Sequence, residues 1–236
     1  MASTDAGTSI DVPVRPLPRP APLRESVHLA LTEMIIAGAL KPGQHLVELE
    51  LARMLGVSRQ PIREALQRLH NEGWVDLRAG FGAIVHVPSD DEVDQLLAVR
   101  AALESESARL AAARATKTEV AELNELCHQG TAAATAHEID DAVQINADLH
   151  RRIAEMSGNR FLLDFVTQVD RRVRWYYRPV AATRGQSSWR EHARVIKAIG
   201  QGDGELAGRI MREHTEHTRK AHHKTLDKWD PPGESG

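Results

Sequence analysis

Two groups of residues have types and spacings that could do chemistry. The first is Ser58-Arg59-Gln60, followed at helical intervals by Arg63 and Gln67. Arg59 and Arg63 stand four residues apart, so on a helix they share a face. Guanidinium groups bind guanine edges bidentately, and Ser and Gln bond phosphates or base edges. A helix entering the major groove needs such groups near its N-terminal end. The second group is His150, His192 and His214, three of 12 histidines. They fall on three separate predicted helices. Imidazoles projecting inward from three helices suit a divalent transition metal, with water at the open positions. Asn146 precedes His150 by four residues and shares its face, whereas Asp148, two residues before, points about 200° away. Each group also has a plain reading: a solvated helix face for the arginines, and core or surface packing for the histidines.

The elements that must position these residues read mainly as helices. Leu23 to Gly38 places Val27, Leu31, Met34 and Ile35 on one face, and Pro42-Gly43 turns the chain. Glu48 to Leu55 is a short helix closed by Gly56. Ser58 has the character of an N-cap for a third helix, Arg59 to Asn71, with Pro61 in its tolerant first turn. Leu51, Ala52, Leu55, Val57, Ile62, Ala65, Leu66 and Leu69 pack these helices together. A helix-turn-helix follows, with Ser58, Arg59, Gln60, Arg63 and Gln67 on its outer face. Trp74 to Leu77 and Ala83 to Val87 flank a Gly-containing loop and predict a β-hairpin. As a wing, it brings Arg78 to a phosphate or the minor groove, and Gly80 allows close backbone approach. Ser89 to Glu92 and Thr116 to Glu119 are capping boxes that open helices to about residues 114 and 134. Further helices are expected near 138–157, 159–178, 187–201 and 204–226, with a break from Pro179 to Ser188. The expected fold is mostly α: a winged helix-turn-helix (α+β) at 23–88, then an all-α bundle of about six helices at 89–226.

Composition narrows the function classes. The 236 residues are 42% hydrophobic and 27% charged, which excludes a wholly disordered chain. Aromatics at 4% favour helices over a β-sandwich. The single Cys127 excludes a disulfide framework and a Cys-rich zinc module. No apolar run reaches the length of a membrane span, and the N-terminus lacks a signal-like apolar core. The chain is therefore expected in the cytoplasm, without a membrane partner. Residues 1–22 hold five of the 11 prolines and are expected to form a disordered tail, as are 227–236. The net charge of −3, taken over the whole chain, argues against DNA binding. It divides unevenly, however: residues 1–88 carry 9 basic and 9 acidic groups, and the rest carry 21 and 24. A balanced reading half predicts a modest salt dependence and reliance on paired half-sites.

The run Val57 to Leu66, with Leu40 to Gly43 ahead and Gly73 to Val87 behind, resembles a GntR-type winged helix-turn-helix regulator. The resemblance implies a homodimer on an inverted-repeat double-stranded DNA operator, with Arg59 and Arg63 as base readers. Arg100 to Glu104, Asn146 to His150, Ser157 to Asn159, Glu191-His192 and Met211 to His214 resemble the FCD-type effector domain of the FadR subgroup. That resemblance implies zinc, nickel or a similar metal on Asn146, His150, His192 and His214, and a regulator, expected to be a repressor, answering to a small organic acid. A carboxylate effector suits a cation and an arginine. Arg100 matches an arginine that faces the ligand in relatives, and a salt bridge to Glu104 is its equal alternative. Two other functions compete: a metal-dependent hydrolase, and a DNA-binding protein whose helical half only dimerises. Against the first, the chain contains neither HExxH nor GxSxG.

Overall fold

A computed structural model describes residues 21–226. The elements run α1 (Ala21–Ile36), β1 (His45–Leu46), α2 (Glu48–Leu55), α3 (Arg59–Asn71), β2 (Val75–Arg78) and β3 (Gly82–Val85), then α4 (Asp90–Ala112), α5 (Lys117–Ala136), α6 (Ile139–Met156), α7 (Arg160–Gly200) and α8 (Gly204–Leu226). The expected terminal tails lie outside the described residues, except that α1 begins two residues inside the first of them.

The hairpin forms as expected, with Val75 opposite Val85 and Arg78 opposite Gly82. A two-residue strand that the sequence did not announce, β1, pairs with the far edge of β3 and gives the order β1-β3-β2. Both capping boxes form, at Ser89 with Glu92 and at Thr116 with Glu119. Ser58 occupies the N-cap position of α3, but its side chain makes no capping hydrogen bond. Its hydroxyl therefore stays available to an outside partner.

The bundle has the expected number of helices. Six follow the hairpin among the described residues, because the α7 range (Arg160–Gly200) holds two helices joined across a kink. The break expected from Pro179 to Ser188 is that kink, and its non-helical geometry is confined to Gly185 (φ 20°, ψ −112°). The cause is tertiary. Val180, Ala181, Arg184 and Ser188 are all buried, and Arg184 donates to the His214 carbonyl on α8 at 3.1 Å. These contacts outweigh the poor local propensity.

Two large apolar cores divide the molecule, beside a small third cluster of Val143, Tyr177, Val180 and Ala181. One gathers α1, α2, α3 and the sheet, and extends to Val93 and Leu97 of α4 and to Trp175 and Tyr176 of α7. The other is built from α4 to α8 and includes Leu123, Leu149, Ile153, Trp189, Ile196 and Met211. Gly130 of α5 packs against Trp189 so closely that an added Cβ would lie 2.0 Å from the indole ring. Gly130→Ala should therefore lose about 1–3 kcal/mol to overpacking, against a gain in helix propensity of under about 1 kcal/mol. A lowered melting temperature by circular dichroism is the expected result. An unchanged or raised one would mean that the indole moves aside freely.

Candidate DNA interface and metal centre

All seven residues proposed to face DNA, Ser58, Arg59, Gln60, Arg63, Gln67, Arg78 and Gly80, are exposed. Arg59, Arg63, Gln67 and Arg78 line one groove of about 670 Å³ between α3 and the wing. Gln60 is occupied within its own helix, donating to Glu64 at 2.9 Å. Glu64 in turn pairs with Arg24 of α1.

The sequence did not disclose the role of Glu48. From the start of α2, its carboxylate accepts from Arg59 Nη2 at 2.9 Å and from Arg63 Nε and Nη2 at 3.0 Å each. Hydrogen bonds from Arg63, then Arg59, outweigh partial burial and hold the Glu48 carboxyl at about 2. In the absence of DNA, one carboxylate thus fixes the direction of both arginines and offsets part of their charge. Glu48→Gln keeps the side-chain shape but removes that charge. Affinity for random-sequence duplex should rise on the order of tenfold at low salt, and the preference for a selected operator should narrow. Fluorescence anisotropy against both duplexes reads this out. Equal affinities for wild type and variant would mean that Glu48 exerts no control.

The second site is assembled from α6, α7 and α8. His150, His192 and His214 are each 3% exposed or less, and they bring one ring nitrogen apiece within 4.8 Å of the others. His192 Nε2 and His214 Nε2 lie 3.2 Å apart. That matches the edge, about 3.3 Å, of a tetrahedron of nitrogens about 2.05 Å from a metal. Asn146 is buried one turn before His150.

Carboxylates stand behind two of the rings. His214 Nδ1 donates to Glu191 at 2.9 Å, which leaves Nε2 with its lone pair facing the cluster. His150 Nδ1 lies 3.1 Å from Glu104 Oε2, without hydrogen-bond alignment. Both nitrogens of His150 and Nδ1 of His192 are buried without a partner. Unmet nitrogens in a buried cluster are costly unless something takes their lone pairs, and a divalent cation would do so. Burial, then the neighbouring positive groups, push His192 well below the usual histidine range. Burial also pushes His214 down to about 4, against the pull of Glu191. Both rings are therefore neutral near pH 7, the form in which imidazole binds a metal. The donor set fits such an ion.

Arg100 does not choose between its two expected roles. It is 1% exposed and donates to Glu104 at 2.8 Å, yet its Nη1 is buried without a partner. Burial works to raise the Glu104 carboxyl, but Arg100 and His150 prevail and hold it at about 2. Asp170 of α7 also senses this site. Burial raises its carboxyl against the pull of Arg174 and Arg100. Glu191, Glu104 and Asp170 were not singled out as site residues from the sequence. The adjacency of Glu191 to His192 was the available signal, but its partners turn out to be His214 and His217.

The arginine and aromatic stretch of α7 meets the winged half, where Trp175 and Tyr176 join its core. Arg172 stacks on the Trp74 ring at 4.5 Å and donates to the Glu72 carbonyl. Arg174 bridges Asp170 (3.2 Å) and Glu33 of α1 (3.4 Å). Arg172 and Arg174 thus tie α7 to the winged half, whereas Tyr177 packs within the bundle beside Val143 and Val180. Other histidines have structural partners: His86 sits between Asp76 and Glu92, each 3.1 Å away. His223 of α8 reaches Asp94 of α4 at 2.8 Å.

A winged helix-turn-helix followed by a helical bundle with a buried histidine cluster defines a class of DNA-binding regulators. Family comparison agrees: residues 23–85 match the bacterial regulatory proteins of the gntR family, and residues 95–217 match the FCD domain. The chain belongs to the GntR family of transcription regulators and carries an FCD domain. It is similar to the uncharacterised HTH-type transcriptional regulator YdhC of Bacillus subtilis, with 29% identity over 85% of this chain and 91% of that one. It is also similar to the Nta operon transcriptional regulator of Aminobacter aminovorans, with 34% identity over 60% of this chain and 67% of that one. The HTH-type transcriptional repressor RspR of Escherichia coli shares 26% identity over 82% of this chain and 86% of its own. Among solved structures, E. coli McbR/YncC superposes with a TM-score of 0.73 at 22% identity, covering 86% of this chain and 98% of that one, and shares the fold. Membership of a regulator family removes the hydrolase alternative. No described helix is long and apolar enough to cross a membrane.

Proposed function

We propose that the chain is a cytoplasmic, homodimeric repressor. Residues 23–88 read an inverted-repeat operator, and residues 89–226 dimerise and bind a small carboxylate effector at a divalent metal, zinc or nickel. Ser58, Arg59, Gln60, Arg63, Gln67, Arg78 and Gly80 contact DNA. His150, His192 and His214 hold the metal with Asn146, whose neutral oxygen leaves more positive charge for an anionic effector than a carboxylate would. Arg100 supplies a second cationic group for the effector. The metal, when bound, supplies a Lewis-acidic anchor for the carboxylate.

One observation carries the effector reading: three buried imidazoles, two of them with unmet nitrogens, lie together, and Glu104 links them to Arg100, whose Nη1 also has no partner. Repression follows RspR, which is named a repressor. The test is a thermal-shift screen of organic acids on metal-loaded chain, followed by operator titration with each hit. The reading predicts at least one acid that both stabilises the chain and changes operator affinity. An acid-independent operator affinity, with and without metal, would refute it.

Helix α7 connects the two halves in this reading. Asp170 faces the pocket charges, Arg174 joins it to Glu33, and Glu33 belongs to the first helix of the winged half. An effector transmits only the free-energy difference with which it binds two arrangements of the molecule. Arg174→Gln should keep both operator and acid binding while cutting the coupling between them, by about fivefold or more. Operator titration with and without acid measures this directly. Coupling of wild-type size would exclude Arg174 from the route.

A further inference from the structure

The tip of the wing presents a group that its sequence neighbours gave no reason to single out. Phe81 is 72% exposed, the highest value among the large apolar side chains of the described residues. Leaving a phenyl ring in water forgoes the stabilisation that burial would bring. The backbone beneath it is nevertheless fixed. The Phe81 N–H donates to the Arg78 carbonyl at 3.0 Å, and its own carbonyl accepts from His45 Nε2. Gly80 and Gly82 on either side have φ of 81° and 82°, a region in which side chains are strained. The ring is thus held outward on an ordered turn. It lines the same groove as Arg63, Gln67 and Arg78.

The charge balance gives this position a use. Residues 1–88 carry 9 basic and 9 acidic groups, and Glu48 already occupies two of the arginines. Few phosphates can be neutralised, so tight binding needs a contribution that is not ionic.

We propose that Phe81 enters the DNA minor groove as an apolar wedge, beside the major-groove contact of α3, with Arg78 at the adjoining phosphate. A phenyl ring has no donor to read base edges. It selects by how readily a base step unstacks, favouring flexible pyrimidine–purine steps at the wing position. This rests on the assignment of α3 and the wing to DNA.

The experiment uses the full chain and a 30-bp duplex enriched by wild-type chain from a random library. Affinity is measured across salt concentrations, and bending by energy transfer between end labels. Phe81→Ala should bind about 10- to 100-fold more weakly and bend the duplex less. The slope of log affinity on log salt should stay the same, because no charge changes. Phe81→Trp should restore the bend. Wild-type affinity and bending in Phe81→Ala would overturn the proposal. So would a loss of binding accompanied by a smaller sedimenting species, which would place Phe81 between copies of the chain. Arg63→Ala runs in parallel: if that variant also binds normally, the DNA assignment of the whole groove fails, not the wedge alone.

Discussion

Stripping the chain of metal and then restoring zinc or nickel is expected to raise its melting temperature by about 8–16 °C. The size follows from linkage. A ligand at a thousand times its dissociation constant stabilises the folded state by about 4 kcal/mol, and a chain of this size gains about 2–4 °C per kcal/mol. The sign follows from the cluster. His150, His192 and His214 are preassembled within 4.8 Å and buried, so the folded chain offers a site that the unfolded one lacks. His214→Ala removes one donor and should abolish most of the metal-dependent increment, whatever it does to the metal-free melting point. Glu191→Gln tests the ring behind it. The carboxylate that accepts from His214 Nδ1 becomes an amide, and metal affinity should fall about 10- to 100-fold with the three imidazoles intact. Differential scanning fluorimetry with metal titration measures both. An equal increment in wild type and His214→Ala would place the metal elsewhere.

Arg63→Ala is expected to abolish selective operator binding while the melting temperature stays within a degree or two. Arg63 is exposed, and its partner Glu48 keeps Arg59, so the fold loses little. On DNA, one bidentate guanine contact is worth about 1–3 kcal/mol. In a homodimer the loss occurs at both half-sites, for a total of about 2–6 kcal/mol, or roughly thirtyfold to well over a thousandfold in affinity. Arg59→Ala should follow in the same direction. The informative comparison is between selected operator and random duplex, since a base reader affects the first far more than the second. Parallel losses on both would reassign Arg63 to the phosphate backbone.

The winged half was largely legible in the sequence because its markers are local. Gly56, Ser58 and Pro61 punctuate a short stretch, and the packing positions between them follow helical spacing. The capping boxes at Ser89 and Thr116 were equally readable, since each is decided within four residues. What stayed hidden was made by distance. Glu48 meets Arg59 and Arg63 across 11 and 15 positions, and Arg172 meets the Glu72 carbonyl across 100. No periodicity predicts such pairs. The histidines were visible as a group only because a family resemblance added weight to their spacing. Their carboxylate neighbours Glu104 and Glu191 carried no comparable signal. The break expected between Pro179 and Ser188 narrows to a kink at Gly185, because buried contacts to α8 hold the helix on either side of it.

The first apolar core includes Val93 and Leu97 of α4 and Trp175 and Tyr176 of α7, with Trp74 and Trp175 ring centres 5.3 Å apart. A fragment cut after residue 88 would therefore expose a seam of indole and aliphatic surface that its own residues cannot cover. The DNA-reading unit is not a detachable module. Grafting it onto another sensor would also require transplanting a few turns of α4 and the aromatic stretch of α7, and a chimera joined at the hairpin alone should aggregate.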